Sequence, residues 1–290
     1  MTVSDRDLAP PVSRDRVWSR RRVLTFFILA YAISWAWVIP WAWTGHTVRQ
    51  GSGWPTHLPS LLGPLLSAVA LTAWSSRGAG VRELLGRMVR WRIGWRWWLA
   101  ATSPLLFFFV VLAVMRLVGA TVPARGEFAI FSGVPSAWGI LGVWAAVLVI
   151  NGYGEETGWR GFALPQLQLR FGPLTATVIL AAAWAAWHLP QFFLLQSYQD
   201  FSLAMLPIFV FGLFCGAVVL TWLYNRTGGS ILAAVVWHGL YNLTGATKAA
   251  GDGPGALAAI MWTFVVVQAL VLLALEWRAH AQGKPSPMRA

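Results

Sequence analysis

Two adjacent glutamates, Glu155 and Glu156, stand in one of the least polar regions of this 290-residue chain, and Arg160 follows them at helical spacing. The other acidic residues all lie in tails, loops or the ends of apolar segments. An ionised carboxylate at the centre of a membrane helix costs roughly 2.5–3.5 kcal/mol, so carboxylates kept there usually serve a function. Such a group is suited to proton transfer as a general base.

Helix geometry gives the two glutamates different surroundings. Residues four apart share a helix face, so Glu156 lies over Arg160, with the glutamate on the favourable N-terminal side. Neighbouring residues point in different directions, so Glu155 has no ionic partner in its own helix. We therefore expect Glu156 and Arg160 to form a supporting ion pair and Glu155 to be the available carboxylate.

Polar partners for Glu155 occur in two other apolar segments. His188 lies in one, and His238 and Asn242, four residues apart and so on one helix face, lie in the other. The remaining histidines fall in an outer loop or in the tail: His46, His57 and His280. Each polar residue alone is typical of interhelical hydrogen bonding, and the glutamate stretch alone fits a snorkelling helix end. Their coincidence in one chain favours a single polar pocket.

The composition places these residues in a membrane. Hydrophobic residues make up 57% of the chain and charged residues 11%, whereas a soluble domain has about 25% charged residues. The net charge of +12 comes from arginines that flank long apolar runs, a pattern that orients helices in a bilayer and argues against nucleic-acid binding. The single cysteine, Cys215, excludes an intrachain disulfide and a Cys-based metal cluster.

Eight segments approach the roughly 20 apolar residues that span a bilayer. They are 23–43, 58–75, 97–119, 137–154, 174–195, 203–224, 230–248 and 256–276. The expected fold class is all-α: a polytopic membrane protein of about eight transmembrane helices, with the polar site formed by helices four, five and seven. We expect one integral-membrane domain over 23–276, an uncleaved first helix, and cytoplasmic tails over 1–22 and 277–290.

Basic residues are distributed unevenly between the two sides of these segments. With the N-terminus in the cytoplasm, eighteen lie in inner segments, Arg160 among them, and four lie in or near outer ones. The outer four are Arg49, Arg116, Arg125 and Lys248. This asymmetry predicts a multi-pass protein of the cell membrane with both termini cytoplasmic.

Three motifs resemble those of the CAAX-protease and bacteriocin-processing family (CPBP, or Abi), whose best-known members are the type II CAAX prenyl endopeptidases. They are Gly-Glu-Glu-Thr-Gly-Trp-Arg-Gly-Phe over 154–162, Trp184-x-x-x-His188, and His238-x-x-x-Asn242. The likeness covers roughly residues 150–245. The family often has phenylalanine four residues before the first histidine, where this chain has Trp184, a conservative aromatic change.

The resemblance implies an intramembrane endopeptidase that acts on a membrane-associated protein or peptide. Glu155 would be the general base that activates water, and His188 would help to hold that water. His238 and Asn242 would stabilise the oxyanion of the tetrahedral intermediate. The substrate stays open between a prenylated or CAAX-like chain end and other peptides.

Metal dependence is open as well. The family has often been labelled as metalloproteases, and Glu155, His188 and His238 could ligate zinc. The His-Glu-x-x-His signature is absent, and zinc prefers cysteine, histidine and carboxylate ligands over an amide. We favour a metal-free glutamate mechanism, with zinc as the alternative.

Two other functions fit some of the same residues. A non-catalytic immunity or scaffold protein could use the same fold without hydrolysis. A proton-coupled transporter would also place ionisable residues in the membrane, but the chain lacks the internal repeats common in such folds.

Overall fold

The fold consists of helices of different lengths, which are joined by loops at the two ends of the helix bundle. The computed structural model describes residues 19–251 and 256–289. Within these ranges, extended pairing is limited to three isolated β-bridges. The predicted all-α class is confirmed.

The elements follow the apolar segments of the sequence. The α-helices are α1 (Arg20–Trp43), α2 (Gly63–Met88), α3 (Trp95–Ala101), α4 (Ser103–Leu117), α5 (Gly139–Ala146), α6 (Gly154–Gly158), α7 (Leu164–Gln168), α8 (Pro173–Trp187), α9 (Gln196–Gln199), α10 (Leu206–Arg226), α11 (Ile231–Gly245), α12 (Lys248–Gly251) and α13 (Ala256–Ala281). Short 3-10 turns are Leu58–Leu62, Arg125–Ala129, Ser136–Trp138, Leu189–Phe193 and Leu203–Met205. Two π-helical stretches, Val147–Tyr153 and Trp159–Ala163, flank α6.

Each of the eight predicted segments coincides with a helix, but not every helix is long enough to cross a membrane. Six helical stretches in the described residues are long and apolar enough, and a seventh is added if α3 and α4, bent by 62°, count as one span. Helix α11 has 15 residues, or about 22 Å, which is shorter than the hydrocarbon core. The predicted count of eight is therefore approximate.

The fourth predicted segment, 137–154, is too short. One helical path runs without a break over Ser136–Gln168 and so continues past residue 154. Arg160, counted from the sequence as a residue of a cytoplasmic segment, lies inside this helix and has no exposed surface. The path continues because the charge of Arg160 is paired with that of Glu156 inside the protein, as described below.

Close packing of α2 against α6 fixes the position of the glutamates. A Cβ atom on Gly158 would lie 2.4 Å from Cβ of Pro64, and one on Gly154 would lie 2.6 Å from the carbonyl oxygen of Leu61. Only glycine leaves room for such an approach between helix backbones. The helix that carries the two glutamates is thereby held against the start of α2.

The loops form two separate groups at opposite ends of the helices. We call the loops 44–57, 118–138, 188–205 and 246–251 the cap, because backbone hydrogen bonds join them. Val48 donates to the carbonyl of Leu194 at 2.8 Å, and Lys248 donates to the carbonyl of Ile130 at 3.0 Å. We call residues 19–22 at the start of α1, together with the loops 89–94, 169–172, 227–230 and 282–289, the basal end.

Contacts between loops also hold the basal end together. The guanidinium of Arg90 donates to the carbonyl of Gly228, and the hydroxyl of Ser230 donates to the carbonyl of Arg90. The side chain of Asn225 donates to the carbonyl of Met288 at 2.7 Å. Residues 1–18 of the predicted N-terminal tail lie outside the described residues, and the division into tails and membrane domain stays a prediction.

Candidate active site

A cavity of about 800 Å³ lies between the cap and helices α8, α10, α11 and α13. All four residues predicted to be catalytic line it: Glu155, His188, His238 and Asn242. They arrive from three different helical regions, namely α6, the end of α8, and α11. The structure thus brings together the polar residues that the sequence placed in separate segments.

Glu155 is held by a tryptophan from α8. Its Oε2 atom accepts a hydrogen bond from Nε1 of Trp184 at 2.7 Å. The glutamate is 3% exposed and lines the cavity. The indole occupies one carboxylate oxygen and so leaves Oε1 as the oxygen for other partners.

The ring of Trp184 also contacts the other charged and polar groups of the site. The guanidinium of Arg160 lies over the ring, with Cζ 4.6 Å from the ring centroid. The imidazole of His238 meets it edge-on at a centroid distance of 5.4 Å. Because one buried ring touches residues of the glutamate helix and of α11, it fixes their relative positions.

Glu156 accepts two hydrogen bonds on the same oxygen. NH1 of Arg160 lies 2.9 Å from Oε1 of Glu156, so the ion pair expected from the spacing is present. Nδ1 of His238 lies 2.8 Å from that oxygen, a contact that the sequence did not predict. Glu156 and Arg160 are both fully buried, and a buried ion pair of this kind is costly to break because the remaining charge is left without compensation.

The contact of His188 defines which of its nitrogens carries the proton. Nδ1 lies 2.7 Å from the carbonyl oxygen of Trp184. A carbonyl oxygen can only accept, so Nδ1 is the donor, and Nε2 of the neutral ring is an acceptor. His188 can therefore accept a hydrogen bond from a water molecule in the cavity.

His238 is constrained in a similar way by a carboxylate. Its Nδ1 atom donates to Glu156 while that glutamate is ionised. Nε2 then donates only when the ring is doubly protonated, and it accepts when the ring is neutral. Asn242 lies one turn further along α11 and lines the same cavity, so its amide supplies a donor that does not depend on protonation.

A third histidine, His57, belongs to the cavity although the sequence placed it in an outer loop. It is 3% exposed and lines the cavity. The cap folds its loop inward against Gly133, where φ is +71° and a Cβ atom would lie 2.9 Å from Nδ1 of His57. Burial, and to a lesser extent nearby His188, lowers the pKa of His57 to about 4. No local pattern in the sequence signals this position.

Asn151 is a second site residue that the sequence reasoning missed. It lines the cavity and is 6% exposed. Its Oδ1 atom has no hydrogen-bond partner among the described protein atoms. The residue stands four positions before Glu155 in a continuous helical path. An asparagine at this spacing within an apolar run is the signal that could have found it.

One wall of the cavity is aromatic. The ring of Phe192 lies 4.9 Å from that of Tyr198 and 5.3 Å from that of Phe209, measured between centroids. Phe201 packs against Tyr198 at 5.7 Å, and His188 against Phe209 at 5.7 Å. We call Phe192, Tyr198, Phe201 and Phe209 the aromatic wall; of these, Tyr198, Phe201 and Phe209 line the cavity. It places an apolar surface directly beside the polar residues.

The zinc alternative named Glu155, His188 and His238 as ligands. In the part of the chain that the structure describes, no three His, Cys, Asp or Glu side chains form a group that could hold a metal ion. The present arrangement does not fit that ligand set, and no step below uses a metal. Whether the protein depends on zinc stays a prediction.

Comparison with known proteins agrees with the motifs. Residues 137–244, which contain all three motifs, match the family model described as type II CAAX prenyl endopeptidase Rce1-like. The chain is 24% identical over 201 residues to CAAX prenyl protease 2 of Methanococcus maripaludis, an alignment that covers 64% of this chain and 69% of that protein. The resemblance stated from the sequence is therefore confirmed.

Proposed function

We propose that this chain, a membrane protein with an Rce1-like domain of the type II CAAX prenyl endopeptidase family, is an intramembrane endopeptidase with Glu155 as its general base. The observation that carries the proposal is the placement of Glu155. Trp184 holds one of its oxygens, and His188, His238 and Asn242 line the same cavity. The reaction is the hydrolysis of a peptide bond in a membrane-associated protein or peptide.

The first step is the attack of water on the scissile carbonyl carbon. Oε1 of Glu155 takes a proton from the water, while Nε2 of His188 accepts a hydrogen bond from it and orients it. The new bond joins the water oxygen to the carbonyl carbon, and the carbonyl oxygen becomes an oxyanion. A positioned general base of this kind contributes roughly 10²–10⁴-fold to the rate.

The oxyanion is stabilised by donors from α11. The amide of Asn242 donates directly, and Nε2 of His238 donates while its ring is doubly protonated. The carboxylate of Glu156, bonded to Nδ1 of His238, balances the charge of that ring. Loss of one oxyanion donor typically costs about 2.7–4 kcal/mol in the barrier.

The second step breaks the carbon–nitrogen bond. Glu155 gives its proton to the leaving amine, and the carbonyl re-forms as part of a carboxylic acid. The water has then been divided between the two products, its oxygen in the new acid and one hydrogen on the new amine. No covalent enzyme intermediate is needed, which agrees with the absence of a cysteine or serine in the three motifs.

The test is the variant Glu155→Gln, which keeps the shape of the side chain and removes the base. We expect cleavage of a membrane-anchored peptide by the purified protein to fall by about 10²–10⁴-fold with an unchanged melting temperature. Hydrolysis in ¹⁸O-labelled water should place one labelled oxygen in the new carboxyl end, as read by mass spectrometry. Full activity of Glu155→Gln would exclude the proposal.

The substrate and the rival functions remain separate questions. The relative's name connects it with CAAX prenyl substrates, and a prenylated or CAAX-like chain end is one proposed substrate here. A non-catalytic immunity or scaffold role would survive the double variant His188→Ala/His238→Ala, whereas peptide cleavage would not. A proton-coupled transporter would instead show substrate-dependent proton flux in liposomes.

A further inference from the structure

The cavity opens at the cap and not at the basal end. Its lining includes residues of the cap loops, and among the described residues none of the basal loops contributes to it. At the cap, the lining residues Gln196, Asp200, Met205 and Ile208 are exposed on the outside of the protein. The mouth of the cavity therefore lies where α10 leaves the cap.

Basic residues are concentrated at the other end of the molecule. Of those that the structure describes, fourteen lie towards the basal end: three at the start of α1, six between positions 77 and 96, and five after α7, near the ends of α10 and α13, and in the C-terminal segment. Four lie in or beside the cap: Arg49, Arg116, Arg125 and Lys248. Arg160 belongs to neither end because it is buried within a helix.

An excess of arginine and lysine marks the side of a membrane protein that stays in the cytoplasm. We propose that the basal end faces the cytoplasm and that the active-site cavity opens at the opposite, non-cytoplasmic surface of the membrane. With the endopeptidase function proposed above, on which this step rests, the substrate is a membrane-anchored polypeptide whose scissile bond lies at that outer surface. This substrate replaces the prenylated or CAAX-like chain end named above, because a lipid-modified chain end in the cytoplasm would not reach the mouth.

The surroundings of the mouth show why the substrate should be membrane-anchored. Leu203 is 85% exposed, and Met205 and Ile208 are 41% and 44% exposed, all beside the first turn of α10. Met205 and Ile208 line the cavity together with Tyr198, Phe201 and Phe209 of the aromatic wall. A polypeptide that leaves the bilayer next to α10 can pass over this apolar surface to reach Glu155. The site thus favours an apolar segment close to the end of a transmembrane helix.

Cysteine labelling in intact cells tests the orientation. Cys215 is buried, and Cys215→Ala provides a cysteine-free background. Ser202→Cys then adds a thiol at an exposed cap position beside the mouth, and Ala79→Cys adds one at an exposed position of α2 towards the basal end. We expect a membrane-impermeant maleimide to label position 202 in intact cells and to label position 79 only after lysis.

Two other labelling patterns contradict the proposal. Labelling of position 79 alone would place the cavity on the cytoplasmic side, and labelling of both positions would indicate two orientations. If neither cysteine reacts after solubilisation, a fluorescent protein that matures only in the cytoplasm, fused after Ala290, decides the question. Fluorescence supports a cytoplasmic basal end, since the C-terminal segment lies there, and its absence beside an active phosphatase fusion overturns it.

A second experiment connects the mouth with the substrate. In proteoliposomes, a bulky impermeant maleimide on Ser202→Cys is expected to abolish cleavage of a membrane-anchored peptide presented on the outside. The same reagent on Ala79→Cys should leave the rate unchanged. Equal rates for both labelled variants would show that the substrate does not enter beside α10. If no variant cleaves the peptide, the endopeptidase function fails, while the labelling result still decides the orientation.

Discussion

The indole of Trp184 donates a hydrogen bond to Oε2 of Glu155 across 2.7 Å. Trp184 stands where the CPBP family often has phenylalanine, whose ring carries no donor. In this chain, one oxygen of the proposed base is therefore held by a residue that also packs against Arg160 and His238. Phenylalanine and tryptophan are both aromatic, but only tryptophan can donate this hydrogen bond to Glu155.

The variant Trp184→Phe should keep the fold and lose this bond. A hydrogen bond to a charged group contributes about 1.5–3 kcal/mol, so we expect kcat to fall by about 10- to 100-fold. KM should change little, because Trp184 acts on the carboxylate and not on the bound peptide. Steady-state kinetics on a membrane-anchored peptide measure both constants.

Trp187→Phe is the matched control for that variant. Trp187 is also a buried tryptophan of α8, but its Nε1 atom has no hydrogen-bond partner among the described protein atoms. Its replacement removes an indole without removing a bond to Glu155. Equal losses of kcat in both variants would mean that packing, and not the bond to the carboxylate, explains the effect.

Glu156→Gln should destabilise the protein more than most single changes. The variant removes the charge that Arg160 and His238 share and leaves a buried guanidinium without a counter-ion. Breaking a buried pair in this way typically costs 3–5 kcal/mol. Thermal unfolding in detergent, followed by the loss of a monodisperse chromatographic peak, measures the effect.

The double variant Glu156→Gln/Arg160→Met separates the charge from other contacts. Because it removes both charges, it should recover part of the stability that Glu156→Gln loses. A double variant that is less stable than either single variant would argue against the uncompensated charge as the cause.

Protonation of His57 should lower the free energy of unfolding in mild acid. Its folded-state pKa of about 4 lies below the ordinary value of 6.5, so the unfolded chain binds the proton more readily. The stability associated with the neutral ring is complete above pH 6.5 and is lost as the pH falls towards 4. The full loss amounts to about 3 kcal/mol. Melting temperatures between these pH values measure it.

The corresponding variant is His57→Gln, which cannot titrate in this range. It should melt with a weaker dependence on pH than the native protein, while His280→Gln, at an exposed position of α13, should not change that dependence. Identical pH profiles for the native protein and His57→Gln would show that another group is responsible.

Removal of metal should leave the reaction intact. Among the described residues, the His, Cys, Asp and Glu side chains form no group that could hold a metal ion, and the proposed mechanism uses no metal. Protein dialysed against a chelator should therefore cleave its peptide at the original rate and contain less than one zinc per chain by elemental mass spectrometry. Loss of activity that only zinc restores would replace this mechanism with a metal-dependent one.

Local patterns predicted much of the fold and part of the site. Apolar runs located the helices because burial of such runs in lipid requires satisfied backbone groups. The spacing of Glu156 and Arg160 predicted their ion pair because residues four apart always meet on a helix. The polar residues His188, His238 and Asn242 stood out because their surroundings are apolar.

The remaining site residues depend on contacts between distant parts of the chain. His57 reaches the cavity only because its loop folds against Gly133 of another cap loop, and nothing near position 57 encodes that contact. The second partner of Glu156 comes from α11, which the spacing within one helix cannot reveal. The sequence counts Arg160 in a cytoplasmic segment because a charge usually ends an apolar segment, whereas here its partner is buried with it.

The two π-helical stretches around α6 affect the orientation of the glutamate side chains. A π-helical turn contains about one residue more than an α-helical turn. The five residues of α6, which include Glu155 and Glu156, are therefore rotated about the helix axis relative to α5 and α7. Helices α5 and α7 themselves keep the packing of an ordinary helix. Deleting one residue from Val147–Tyr153 would rotate the carboxylates by about 100° without altering their chemistry. The two π-helical stretches therefore determine the direction in which the carboxylate of Glu155 points.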